Sequence, residues 1–198
     1  MLHPFQQLLV NHIHLTQKEW HSIESHLEKV QWNKGELLPI SEEDKGDLFF
    51  LVSGLLRYYD VESEQEHTFL FADAPHIFIS GQQIKKGQFI QALEKCTAWK
   101  LPKESLLKMT FTVENWDLFL RKVLNDNRKF QTRLHDAARS RSAEDWYKSM
   151  LTNCDPILAR IPVKYLASYL GIAPVSLGKI RKKLMSEMSL SRYITSSF

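Results

Sequence analysis

The sequence predicts an α+β chain. Short N-terminal helices lead into an antiparallel β-sandwich or barrel, followed by one long helix and a pair of short helices near the C-terminus. Three observations carry this. Hydrophobic periodicity changes from helical to strand-like near Gln31 and back again after Pro102. A stretch without proline or glycine, Val113 to Arg141, holds an apolar stripe at steps of three and four. Finally, Gly171 separates two short, apolar-faced helices in the most basic part of the chain.

The chain has 198 residues, enough for one or two domains, with 43% hydrophobic and 25% charged residues. It holds only 7 glycines and 7 prolines, which excludes collagen-like and low-complexity classes. No apolar run reaches membrane-spanning length, and the N-terminus lacks the basic and apolar regions of a signal peptide. The two cysteines, Cys96 and Cys154, form no disulfide framework and are too few for a four-cysteine metal or iron–sulfur site, so a cytoplasmic location is expected. Charge is unevenly placed. Residues 1–138 hold 16 Lys+Arg against 19 Asp+Glu, whereas residues 139–198 hold 10 against 4. A basic C-terminal third on a mildly acidic body fits a nucleic-acid-binding segment, although many solvated surfaces look the same.

In chain order, Leu2, Phe5, Leu8 and Leu9 mark a first helix ending near Asn11. Thr16-Gln17-Lys18-Glu19 is a capping box opening a second helix with Trp20, Ile23 and Leu27 on its apolar side. Short apolar runs follow at Glu36–Ile40, Leu48–Val52, Leu55–Tyr59, His67–Phe71, His76–Ser80, Phe89–Leu93 and Cys96–Leu101, divided by polar turns. About seven strands at this spacing argue for a sandwich or barrel. Pro102 suits the first turn of a short helix through Met109. In the long helix, Trp116, Phe119, Val123, Asn127, Phe130 and Leu134 form a heptad seam. Its length favours a two-stranded dimer helix over packing on its own domain, with Asn127 positioned to fix register. The expected organisation is 1–110 for helices and sandwich, 111–142 for the dimer helix and 143–198 for the C-terminal domain.

The stretch from Ile161 to Leu184 has the pattern of a helix-turn-helix. Pro162 sits at the start of one helix, Gly171 follows it as a left-handed cap, and Pro174 opens the next. Leu166, Ala167, Leu170, Ile172, Leu177, Ile180 and Leu184 make one apolar face. Pro174, Val175, Ser176, Lys179, Lys182 and Lys183, with Arg181 adjacent, make the other. A helix with this surface fits the major groove of double-stranded DNA. Lys179 is placed for a guanine edge and Val175 for a thymine methyl. Ser176, Lys164 and Tyr165 suit phosphates, and the flanking cations neutralise the backbone.

These features together resemble the CRP/FNR family of bacterial transcription regulators. Lys34-Gly35-Glu36-Leu37-Leu38 and the run from Gly46 to Tyr59 are similar to the start of that family's cyclic-nucleotide-binding β-roll. The seam helix resembles its dimerisation helix, and Lys164 to Leu184 its DNA-reading motif. The resemblance implies a jelly-roll sensor domain, a homodimer, a winged helix-turn-helix, a palindromic operator and contact with RNA polymerase. The pocket departs from the pattern. The family's cyclic-nucleotide binders use a Gly-Glu pair and a downstream Arg; here Gln82 follows Gly81, and Lys85 and Lys86 stand without an arginine. Lysine lacks the bidentate fork, so cyclic AMP is not the expected effector, and the effector is unknown. Phe71 and Phe78 with Gly81, Gln82 and Lys85 are the pocket candidates, sandwich core being the plainer use of the aromatics. The tail after Leu184 is 14 residues long, leaving a shortened wing or none.

No catalytic, metal or cofactor site is expected. Five of the 8 histidines fall in the first 26 residues, without HExxH or CxxC. No G-x-S-x-G or Walker loop occurs. Two rivals remain: a small-molecule-binding module with weak or vestigial DNA binding, and a metal-dependent β-helix enzyme, for which the strand region supplies only His67 and His76.

Overall fold

A computed structural model describes residues 3–38, 45–80, 87–123, 125, 142–152 and 156–195. The elements are α1 (Pro4–Val10), α2 (Gln17–Glu24), β1 (Glu28–Trp32), β2 (Leu48–Ser53), β3 (Leu55–Glu62), β4 (Gln65–Asp73), β5 (His76–Ile79), β6 (Gln88–Ala92), β7 (Cys96–Leu101), α3 (Lys103–Thr112), α4 (116–123), α5 (Ala143–Thr152), a 3-10 turn (Pro156–Ala159), α6 (Val163–Tyr169) and α7 (Pro174–Thr195). They fall into two compact units, Met1–Asp60 with Leu70–Arg133, and Val61–Phe69 with Leu134–Phe198.

The chain has two antiparallel sheets, β1-β7-β2-β5, which lies in the N-terminal unit, and β4-β3-β6, whose segment Val61–Phe69 is counted with the C-terminal unit. Strand β2 shows why the architecture works. Leu48, Phe49, Phe50 and Leu51 are all buried, so both faces of this strand are covered. On one face, Leu48 and Phe50 join Phe5, Leu9, Trp20, Ile23, Leu106 and Met109 in a core shared with α1, α2 and α3. On the other, Phe49 stacks on Phe78 with ring centroids 5.0 Å apart, and Tyr58 meets Phe78 edge-on. The turn joining β2 to β3 rests on Gly54, whose φ is +108° and whose Cα faces Cys96.

Helix starts follow the sequence. Thr16 and Glu19 form the reciprocal capping box, and the second Glu19 oxygen accepts from the Glu114 N–H at 2.9 Å. These bonds, that of Thr16 first, hold the Glu19 carboxyl below its ordinary range. Helix α3 begins after Pro102, which has no capping side chain. The buried Asp47 takes that role from across the unit. It accepts from the Lys103 N–H at 2.8 Å and pairs with Lys100 at 3.0 Å.

Three expectations change. Glu28–Trp32 is a strand that alternation did not reveal, because β1 is a sheet edge with only Trp32 buried. Glu36–Ile40 contributes only a bridge between Leu37 and Gln91 among its described residues. The long helix starts at Trp116 and not at Val113, because Val113 is extended and Asn115 has φ +59°. Beyond the break, Trp116, Phe119 and Val123 are buried in the core of their own unit. Packing within the unit therefore accounts for the first half of the stripe; Asn127, Phe130 and Leu134 lie outside the described residues.

In the C-terminal unit, α5, the 3-10 turn, α6 and α7 enclose Trp146, Leu158, Ile161, Leu166, Ala167, Leu170, Leu177 and Leu184. Ser168 on α6 accepts from the Thr68 N–H and donates to the Glu66 carbonyl. Helix α7 continues to Thr195, so the stretch after Leu184, where a shortened wing or none was expected, is helical. No helix among the described residues is long and apolar enough to cross a membrane.

Candidate nucleic-acid interface

The candidate interface is built on the turn between α6 and α7. Leu170 caps α6, and Gly171 has φ +66°. The Ile172 N–H donates to the Ala167 carbonyl at 3.0 Å and the Gly171 N–H to the Ser168 carbonyl at 3.1 Å. This pair of bonds is the Schellman motif, which satisfies the last α6 carbonyls and reverses the chain in the left-handed conformation that glycine adopts freely. Pro174 then starts α7, where its missing N–H costs nothing. Leu166, Ala167 and Leu177 are fully buried, and the small Ala167 lets the two helices approach closely.

This packing sorts the α7 side chains. Leu177 and Leu184 point inward. Val175, Lys179 and Lys182 follow at i, i+4 and i+7 on the outer face and are exposed, Val175 at 72%. Pro174 and Ser176 are exposed beside them. On α6, Lys164 is exposed and lies 4.5 Å over the half-buried Tyr165 ring. The result is an apolar tip, a hydroxyl and several cations carried on one rigid helix, matched in shape to a DNA groove and in charge to its phosphates.

Two predicted contact residues have other engagements. Arg181 follows Leu177 by four and precedes Leu184 by three, so it turns toward the interior side. Its Nε donates to the Tyr147 hydroxyl at 3.1 Å and its guanidinium lies 5.6 Å from that ring. Arg181 is therefore only partly exposed and is not on the outer face with Lys179 and Lys182. Lys183 is exposed but paired with Glu144 of α5 at 2.6 Å.

The expected effector pocket is described in part. Phe71 and Phe78 are buried, with Phe78 packed against Phe49 and Tyr58. Gly81, Gln82 and Lys85 lie outside the described residues. Two polar residues of this unit lie among its aromatic rings. Arg57 is fully buried, 4.2 Å over the Tyr59 ring and bonded to Gln91 at 3.4 Å. His76 sits 3.4 Å from the Tyr58 hydroxyl, and burial pushes its imidazole down to about 4. Both stand in strands whose neighbours are apolar, and that is the one sequence signal of their burial. The N-terminal histidines do not converge. His3 lies against the Trp20 and Trp99 rings, while His21 and His26 bond backbone carbonyls. Among the described residues, no three metal-ligating side chains come together.

No protein-family model matches the sequence, and no curated protein matches it. Solved structures do. FixK2 from Bradyrhizobium japonicum superposes with a TM-score of 0.68 at 14% identity, covering 81% of this chain and 85% of that one. A protein described as a CRP/FNR-family transcriptional regulator from Eubacterium rectale gives 0.67 at 18%, covering 87% and 85%. The c-di-GMP-responsive global regulator CLP of Xanthomonas campestris gives 0.66 at 13%, covering 87% and 93%. The chain thus has the CRP/FNR fold, a β-roll joined to a helix-turn-helix. At these identities the likeness is one of fold.

Proposed function

We propose that this chain is a sequence-specific, DNA-binding transcription regulator that acts as a homodimer. The observation that carries the reading is the outer face of α7, where Val175, Ser176, Lys179 and Lys182 stand exposed on a helix fixed by the Gly171 turn. In this reading Lys179 donates to a base edge, Val175 contacts a methyl, and Ser176, Lys164, Tyr165 and Lys182 hold phosphates. Arg181 supports the helix from behind. Lys183 is offset by its pairing with Glu144 and reaches phosphate when that pair opens.

Trp116, Phe119 and Val123 are consumed by their own core, so pairing of two chains falls to the later stretch with Asn127, Phe130 and Leu134. Two recognition helices would then enter successive major grooves about 34 Å apart on a palindromic site. The β-roll lacks the Glu and Arg that hold a cyclic nucleotide, so the regulator is expected to ignore cyclic AMP. Contact with RNA polymerase and a cytoplasmic location complete the proposal.

The test is selection of bound sequences from a random DNA pool with the full chain and no added ligand. A two-fold symmetric consensus with half-sites one helical turn apart is expected. Absence of any enrichment at low salt contradicts the proposal.

A further inference from the structure

The C-terminal unit contains an open cleft of ≈ 670 Å³ bounded by α5, the 3-10 turn, the start of α6 and the middle of α7. Its size is that of a small-molecule site. The walls are apolar, with Leu151, Leu158, Leu184 and Met185 among them. The polar exceptions are the Tyr147 hydroxyl and the Arg181 guanidinium, the one charged group among the described lining residues. Their mutual bond uses the Arg181 Nε and fixes the plane of the fork. No described residue accepts from its two terminal nitrogens. A guanidinium set in an apolar wall is matched by a planar anion, because a charge-assisted fork to a carboxylate satisfies both terminal nitrogens at once. The other described side chains of the lining are apolar, which rewards a hydrocarbon body.

We infer that this cleft is a binding site for an amphipathic monocarboxylate of the fatty-acid type. The carboxylate rests on the Arg181 fork beside the Tyr147 hydroxyl, and the chain lies among Leu151, Leu158, Leu184 and Met185. The site belongs to the helix-turn-helix unit, not to the β-roll. It stands apart from the DNA reading, since binding to the free chain is what it requires.

The experiment is isothermal titration calorimetry of the full chain with octanoate, nonanoate and decanoate below their micelle concentrations, and with 1-decanol and decyltrimethylammonium. One carboxylate per chain is expected, tightening roughly fourfold per methylene as buried hydrocarbon dictates. The alcohol and the cation are expected at least tenfold weaker than decanoate. Arg181→Gln is expected to lose at least tenfold, Arg181→Lys to fall between, and Lys148→Gln on the exposed side of α5 to bind as the unaltered chain does. Decanol binding as tightly as decanoate overturns the inference, as does undiminished binding by a folded R181Q protein, or no binding of decanoate at all. The head-group comparison uses the unaltered chain, so it decides the matter even where R181Q fails to fold.

Discussion

Replacing Gly171 and Gly54 by alanine separates two reasons for a glycine. At Gly171 φ is +66° and a Cβ would meet nothing within 4 Å, so the cost is the left-handed backbone alone, about 1 kcal/mol. At Gly54 φ is +108°, and a Cβ would lie 2.5 Å from the Cys96 sulfur and 2.8 Å from the Cys96 Cα. Relief requires β7 to move as well. Overpacking of this kind adds about 2 kcal/mol to the strain, for a total of about 3 kcal/mol. Urea denaturation followed by intrinsic fluorescence reads both changes as shifts of midpoint at constant slope. Asparagine at 171 is expected to recover most of the loss, because it tolerates the left-handed region. A G54A protein losing no more stability than G171A would refute the steric part of this reasoning. A G171A protein as stable as the unaltered chain would refute the role of the Schellman turn.

Three further outcomes are expected. Asp47→Ala removes the cap of α3 and strands Lys100, and is expected to cost about 3 kcal/mol in the same denaturation assay, a loss under about 1 kcal/mol speaking against the buried pair. His76 titrates near 4 when folded and near 6.5 when unfolded, so the unfolded chain takes up the extra proton and stability falls as pH drops from about 6.5 to about 4, then levels. Allowing for the partial exposure of the ring, the expected loss is about 2 kcal/mol, absent in His76→Phe when the two pH profiles are subtracted. Arg181→Ala is expected to lower the stability of the unaltered chain by about 1–2 kcal/mol through the lost Tyr147 bond and stem packing, whereas Lys182→Ala stays within about 0.5 kcal/mol. Equal effects would place Arg181 on the outer face after all.

Much of this was legible in the sequence where local chemistry decides structure. The Thr16 capping box, the Pro102 and Pro174 helix starts and the Gly171 cap each need only a few neighbouring residues, and each is present. Strands β2 to β7 could be read because their apolar runs are bounded by polar turns. Strand β1 could not, since an edge strand with one buried residue has no alternation to show. The Trp116 stripe is ambiguous in principle. A heptad repeat records burial without naming what buries it, and for Trp116, Phe119 and Val123 the answer is their own unit. Arg181 was assigned by its place in a basic run; counting from Leu177 and Leu184 puts it on the inner side. The cap that Asp47 gives α3, like the burial of Arg57, depends on residues far apart in the chain.

The central claim is that α7 reads DNA through Lys179. The most direct test measures dissociation constants of the unaltered chain and Lys179→Ala on the selected site and on scrambled DNA, over a range of salt concentrations. A base-reading lysine predicts a loss of about 1–3 kcal/mol on the selected site, equivalent to roughly 5- to 150-fold, with little change on scrambled DNA. An equal loss on both sequences, with the salt slope reduced by about one, would make Lys179 a backbone contact and contradict sequence reading at this position.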